Sequence, residues 1–187
     1  MSLNKIRVKK ISDGFTLIET LVAIAILSAA LASPMVLAIR NVGVAAVSQD
    51  QLVAFYLSQE VLEYVRNVRD TNILSGRTDG SEWLTGLENC LIDETKTNGC
   101  QIDATGGSEP TQECVSGCEP LKFNSDTGLY NYGDEAENKN TTFIRTVKIQ
   151  SPVNGNENEA IVRVSTTWTG KYGAKTLDLQ DNIFNWR

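Results

Sequence analysis

The chain has 187 residues and a formal net charge of −6, from 17 basic and 23 acidic side chains. That balance argues against the broad basic footprint that nucleic acid requires. With no histidine anywhere, imidazole acid–base chemistry, Ser-His-Asp and Cys-His arrangements and most zinc sites are excluded. The length suffices for one core-bearing domain plus an anchor.

The chain opens basic. Lys5, Arg7, Lys9 and Lys10 precede Gly14, against the single acid Asp13. Residues 15–39 then carry no charge except Glu19. A helix of that length spans about 37 Å, more than the ~30 Å hydrocarbon core of a bilayer. Arg40 is the next basic residue, so the positive-inside rule leaves the N-terminus in the cytoplasm and sends the bulk of the chain outward. A cleaved secretory signal offers one reading, with Ala30-Leu31-Ala32 as its cleavage site. Glu19, early in the apolar run, and helix-compatible sequence past that site count against it. A plain single-pass anchor explains the length but not Glu19, because a charge at bilayer depth costs about 2.5–3.5 kcal/mol and is usually paired or functional.

The stretch Gly14-Phe15-Thr16-Leu17-Ile18-Glu19, followed by the long apolar helix, resembles the processing site of type IV pilins and type II secretion pseudopilins. The resemblance implies a leader of residues 1–14, removed by a prepilin peptidase that cuts after Gly14 and N-methylates Phe15. Glu19 becomes the fifth mature residue, where the family carries its assembly acid. There it would pair with the α-amino group of a neighbouring subunit, which is cationic near neutral pH. Pro34 falls slightly earlier than the proline at which the family's helix kinks or melts. The implied partners are other pilin subunits, in a homo- or hetero-polymer, the prepilin peptidase, an inner-membrane assembly platform with its ATPase, and membrane lipid before assembly. The implied location is the inner membrane, with the C-terminal domain outside, and then an extracytoplasmic pilus or pseudopilus. Without the leader the charge becomes −9, from 13 basic and 22 acidic residues.

Past Arg40, residues Val53, Leu57, Val61, Tyr64 and Val68 recur at three- and four-residue spacing. Gln59, Glu63, Arg66 and Asp70 share another face. This is an amphipathic helix with Glu63–Arg66 and Arg66–Asp70 pairs. No turn cluster separates it from the anchor, so one helix is expected from about 15 to about 70, its anchor part at 15–40 and its amphipathic part at 41–70. The stretch "LSQEVLEYVRNVRD" resembles proteins classed as minor pilins.

Residues 71–140 are rich in Gly, Asn, Thr, Asp and Ser and read as loops. They hold all four cysteines, Cys90, Cys100, Cys114 and Cys118. Even in number and beyond a membrane-targeting segment, these read as two disulfides. Three connectivities are open, with Cys90–Cys100 and Cys114–Cys118 favoured; a zinc site is the alternative. Residues 141–187 switch to period two. "TFIRTVKIQ", "EAIVRVSTTWTG" and "AKTLDLQDNIF" predict a three-stranded antiparallel meander with one face on the helix. Trp168 is expected to pack at a strand end.

The expected fold class is therefore α+β and pilin-like: a long N-terminal helix packed on a small antiparallel sheet of about three or more strands. The acids Asp134, Glu135 and Glu137, beside Asn124 and Asp126, read as a solvated loop and do not follow the calcium-loop order. No phosphate or dinucleotide motif occurs, no cofactor or metal is expected, and no base is placed to activate a hydroxyl. The chain reads as a structural subunit and not as an enzyme. The competing reading is a membrane-anchored extracytoplasmic binding domain that does not polymerise.

Overall fold

The computed structural model describes residues 14–106, 110–171 and 173–186, without the side chains of Ser33, Val36, Ile39 and Arg40. The expected leader lies outside the described residues except for Gly14. The chain divides into two compact units, Met1–Ala45 and Ala46–Arg187.

One helix, α1, runs from Leu17 to Leu74, its helical assignment continuous through Pro34. In the second unit its buried positions are Ala54, Leu57, Ser58, Val61, Leu62 and Val65, joined in the last turn by Asn72 and Ile73. These follow the i, i+3, i+4 spacing of a single apolar stripe. The stripe is rotated from the one expected in the sequence: Val53, Tyr64 and Val68 lie at its margins, half-buried. The reason is Ser58. It reads as polar, yet its hydroxyl lies 2.8 Å from the Ala54 carbonyl and 2.8 Å from the Thr166 hydroxyl, so it is buried fully satisfied.

Among the described residues, seven strands form one antiparallel sheet: β1 Cys100–Ile102, β2 Thr111–Glu113, β3 Pro120–Asn124, β4 Tyr130–Asn131, β5 Asn138–Gln150, β6 Glu159–Gly170 and β7 Gly173–Phe184. Strand β5 carries β6 along one side and both β3 and β1 along the other. The C-terminal meander β5–β6–β7 is the backbone of the sheet. Its odd positions in β5 (Phe143, Arg145, Val147, Ile149) and even positions in β6 (Ala160, Val162, Val164, Thr166, Trp168) face the core.

The segment 71–140 is not loop throughout. It contains two single-turn 3-10 helices, Glu82–Leu84 and Glu88–Cys90, and strands β1 to β4. The short strands carry no readable periodicity; β1 and β3 pair onto β5, β2 onto β1 and β4 onto β3. The main core joins Val61, Val65, Trp83, Leu87, Ile102, Ile149, Val162 and Ile183. A second cluster joins Ala54, Leu57, Leu121, Phe143 and Trp168. Each such side chain contributes about 1.5–3 kcal/mol on burial, so the helix–sheet interface dominates the stability of this unit.

Candidate functional site

Gly14, Phe15 and Thr16 precede the first turn of α1 in non-helical conformation. A Cβ on Gly14 would meet nothing within 4 Å, and Phe15 is 80% exposed. Gly14, Phe15 and Thr16, which bound the site of expected cleavage, are thus exposed and lie ahead of the helix.

Thr16 starts the helix. Its carbonyl accepts from the Thr20 N–H at 3.2 Å, and its hydroxyl accepts from the Glu19 N–H at 3.3 Å. Thr16-Leu17-Ile18-Glu19 therefore has the spacing of a capping box, with the acid at the third helical position. The sequence signal for this was a threonine three residues ahead of a glutamate, and the expectation for Glu19 as an assembly acid passed over it. The carboxylate sits in the first turn, where the partial positive charge of the helix N-terminus favours an anion. The Thr20 hydroxyl donates back to the Leu17 carbonyl at 2.8 Å, closing the turn.

From this start the helix exposes apolar side chains on every side. Leu17, Ile18, Leu21, Val22, Ile24, Ile26, Leu27, Leu31, Met35, Leu37, Val42 and Val44 are all exposed. Consecutive exposed positions at 17–18, 21–22 and 26–27 span more than one face of a 3.6-residue repeat. Such a helix requires an apolar environment around its whole circumference. Among the described residues no helix is long and apolar enough to cross a membrane.

The second unit contributes a different chemistry. Arg145 on β5 is fully buried. Its guanidinium donates to the Leu57 carbonyl of α1 at 2.7 Å, to the Ile102 carbonyl of β1 at 2.7 Å, and to the Glu60 carboxylate at 2.7 Å. One side chain so ties the helix to two strands. Arg66 donates to Asp181 of β7 at 2.9 Å and to Glu63 at 3.3 Å, and the hydrogen bond to Asp181 holds its pKa above the ordinary value. The expected Arg66–Asp70 pair does not form; Asp70 is bound by Arg69 at 2.7 Å, because the Asp181 side chain competes for Arg66 across the sheet.

Cys90 bonds Cys100, and Cys114 bonds Cys118. The first bond lies within the main core. The second closes a short exposed loop, with Val115 77% exposed. The acidic loop is organised by amides and a lysine. The Asn124 amide donates to Glu135 at 2.8 Å and to Asn138 at 2.9 Å, and Lys122 pairs with Asp134. Lys122 holds the Asp134 carboxyl below the usual range. Among the described residues no group of side chains has a metal-ligating arrangement.

Residues 9–33 match a family profile described as the prokaryotic N-terminal methylation motif. The match covers the Gly14–Phe15 junction, Glu19 and most of the apolar run. No curated protein and no solved structure matches the chain.

Proposed function

Starting from a chain that carries the N-terminal methylation motif shared by type IV pilins and pseudopilins, we propose that it is a minor-pilin-like structural subunit, cut after Gly14, N-methylated on Phe15 and polymerised through α1. Before assembly the apolar run at 15–39 sits in the inner membrane with the second unit outside. In the filament, the same exposed apolar circumference packs against neighbouring helices. The assembly platform, its ATPase and other pilin subunits are its partners in this reading. The observation that supports it most is the coincidence, in 25 residues, of the methylation motif with a helix whose apolar side chains are exposed all round.

Glu19 has a further role in this proposal. The N-cap satisfies its backbone N–H and leaves its carboxylate free to meet the amino terminus of a neighbour. In a dry helix bundle, removing one partner of such a pair costs about 3–5 kcal/mol. Glu19→Gln should be cleaved, inserted and folded like wild type, yet enter filaments poorly. The measurement is the ratio of sheared to membrane-retained protein. Processing is tested separately by intact mass of membrane-extracted chains: loss of residues 1–14 with one added methyl supports the reading, and a mature chain starting at Ser33 supports a secretory signal instead. Normal assembly of Glu19→Gln would remove Glu19 as an assembly contact, and wild-type protein that stays wholly membrane-retained on shearing would favour an anchored domain that does not polymerise.

A further inference from the structure

We propose that the outer edge of β7 is a docking site for an extended segment of a different polypeptide. The segment adds to the sheet as a further strand and places alternate side chains in the groove between β7 and α1. This inference goes beyond the filament reading and rests on the second unit alone.

Strand β7 pairs without interruption with β6, from Glu159 opposite Phe184 to Gly170 opposite Gly173, and among the described residues no other strand lies on its far side. Just beyond the strand, the Asn185 N–H donates to the Asn158 carbonyl at 3.0 Å. An antiparallel ladder alternates strictly. Odd-numbered residues of β7 therefore bond to β6, while Ala174, Thr176, Asp178, Gln180, Asn182 and Phe184 turn their N–H and C=O groups outward. Among the described residues no backbone hydrogen bond reaches these groups from another segment. Proteins usually blunt such an edge with proline, a bulge, lysines or a short length. This one has no proline and no register shift; its charges are Lys175 near its start, the exposed Asp178, and Asp181 on the helix side, which Arg66 neutralises.

Alongside the same strand lies an open groove of about 580 Å³, with Phe55, Leu62, Glu63 and Arg66 of α1 on one wall and Leu179 and Asp181 of β7 on the other, and the Arg66–Asp181 ion pair bridges the two walls. Leu177, Leu179, Asp181 and Ile183 are half-buried or buried on the helix side, while Asp178, Gln180 and Asn182 are exposed on the opposite face. An entering strand has the same alternation. Its groove-side residues meet Phe55, Leu62 and Leu179 on either side of the Arg66–Asp181 pair, and its other face meets Asp178. In this type of recognition main-chain bonds supply affinity and side-chain pockets supply selection. Residues 46–187 carry 12 basic and 21 acidic side chains, so the complementary segment is basic on its outer face and aliphatic on its inner face.

A second copy of this chain fits poorly. The other borders of the sheet are the three-residue β2 and the two-residue β4, too short to match a twelve-residue edge. Self-pairing of β7 would bring together central stretches that bear Asp178 and Asp181 and no base, and opposed like charges destabilise a strand pair.

The test uses the full chain in detergent and a capped peptide of about nine residues alternating valine and lysine, a typical strand length. A control peptide of the same sequence is N-methylated on the amides that would bond to β7. Hydrogen exchange of Thr176, Asp178, Gln180 and Asn182 should slow at least ~10-fold with the first peptide. The methylated peptide, with identical charge, should bind at least ~10-fold more weakly. Gln180→Pro removes an outward donor without touching the β6 ladder, and should lose peptide binding while its melting temperature stays close to wild type. The methylated control reads the same contact on unaltered protein, should that variant misfold. Equal binding of both peptides would show attraction by charge alone and overturn the proposal. So would no binding at ~1 mM peptide, or protection of the outward amides that rises with protein concentration in the absence of peptide, which would assign the edge to a second copy.

Discussion

Arg145 is the residue on which the second unit turns. Its alternation with Phe143, Val147 and Ile149 places it on the core side of β5, but nothing in the sequence names its partners, which lie 88, 85 and 43 residues away. Only the planar guanidinium fork reaches two carbonyls and a carboxylate at once. Arg145→Met should destabilise the unit by about 3–5 kcal/mol, because it leaves Glu60 without its cation and the Ile102 carbonyl without its donor. Arg145→Lys should recover only part of that, since an ammonium lacks the fork; urea unfolding of both variants checks the order. Gly99 is constrained differently. It has φ +79°, and a Cβ there would overlap the Val147 carbonyl. Gly99→Ala combines left-handed strain with a backbone clash beside Cys100, and should cost about 1–3 kcal/mol or more. An unchanged urea midpoint would contradict that close approach of β1 to β5.

At the scale of elements, what was legible followed regularity. The period-two runs of β5, β6 and β7 and the three- and four-residue spacing of α1 are long enough to be read without neighbours. Strands of two or three residues, such as β4 and β1, exist because β3 pairs with the first and β2 and β5 with the second, and no local pattern announces that. The rotation of the buried stripe of α1 was hidden for a similar reason, since Ser58 is buried by a hydroxyl on β6. The cap at Thr16 was readable from its spacing, whereas the Arg66–Asp181 contact joins residues 115 apart. The last turns of α1 carry a pH dependence. Arg69, bonded to Asp70, holds that carboxyl below its usual pKa, with the Trp186 side chain a smaller contributor. A depressed carboxyl stabilises the folded state above the ordinary Asp range, and the contribution is lost as pH falls through the folded-state value. The urea midpoint of wild type should therefore drop more steeply than that of Asp70→Asn between about pH 5 and pH 3. Parallel curves would remove Asp70 from the acid response.

At the scale of the whole molecule, one long helix serves two units with opposite demands. Among the described residues, the large apolar side chains from Leu17 to Leu37 are exposed, whereas Ala54, Leu57, Val61, Leu62 and Val65 are buried against the sheet. The methylation motif and the α+β layout were both open to a reader of the sequence. The clamp at Arg145 and the free edge of β7 were not, because each depends on which strands become neighbours. The two disulfides also belong to this scale, since they respond to the state of the entire unit in unequal ways. Cys90 and Cys100 are both fully buried, and Cys100 stands opposite Val147 in the sheet. A thiol in solution reaches that bond only when the unit opens, whereas the second bond ends at Cys118, a half-buried residue next to the exposed loop 115–117 and hydrogen-bonded through its sulfur to Thr146, so that a small local opening suffices. Mild reductant should open Cys114–Cys118 at a rate insensitive to low urea, and Cys90–Cys100 at a rate that rises with urea as the unfolded fraction does. Timed alkylation with peptide mapping separates the two. One bond then exchanges electrons with whatever medium surrounds the folded chain, and the other preserves the oxidising conditions under which the chain first closed.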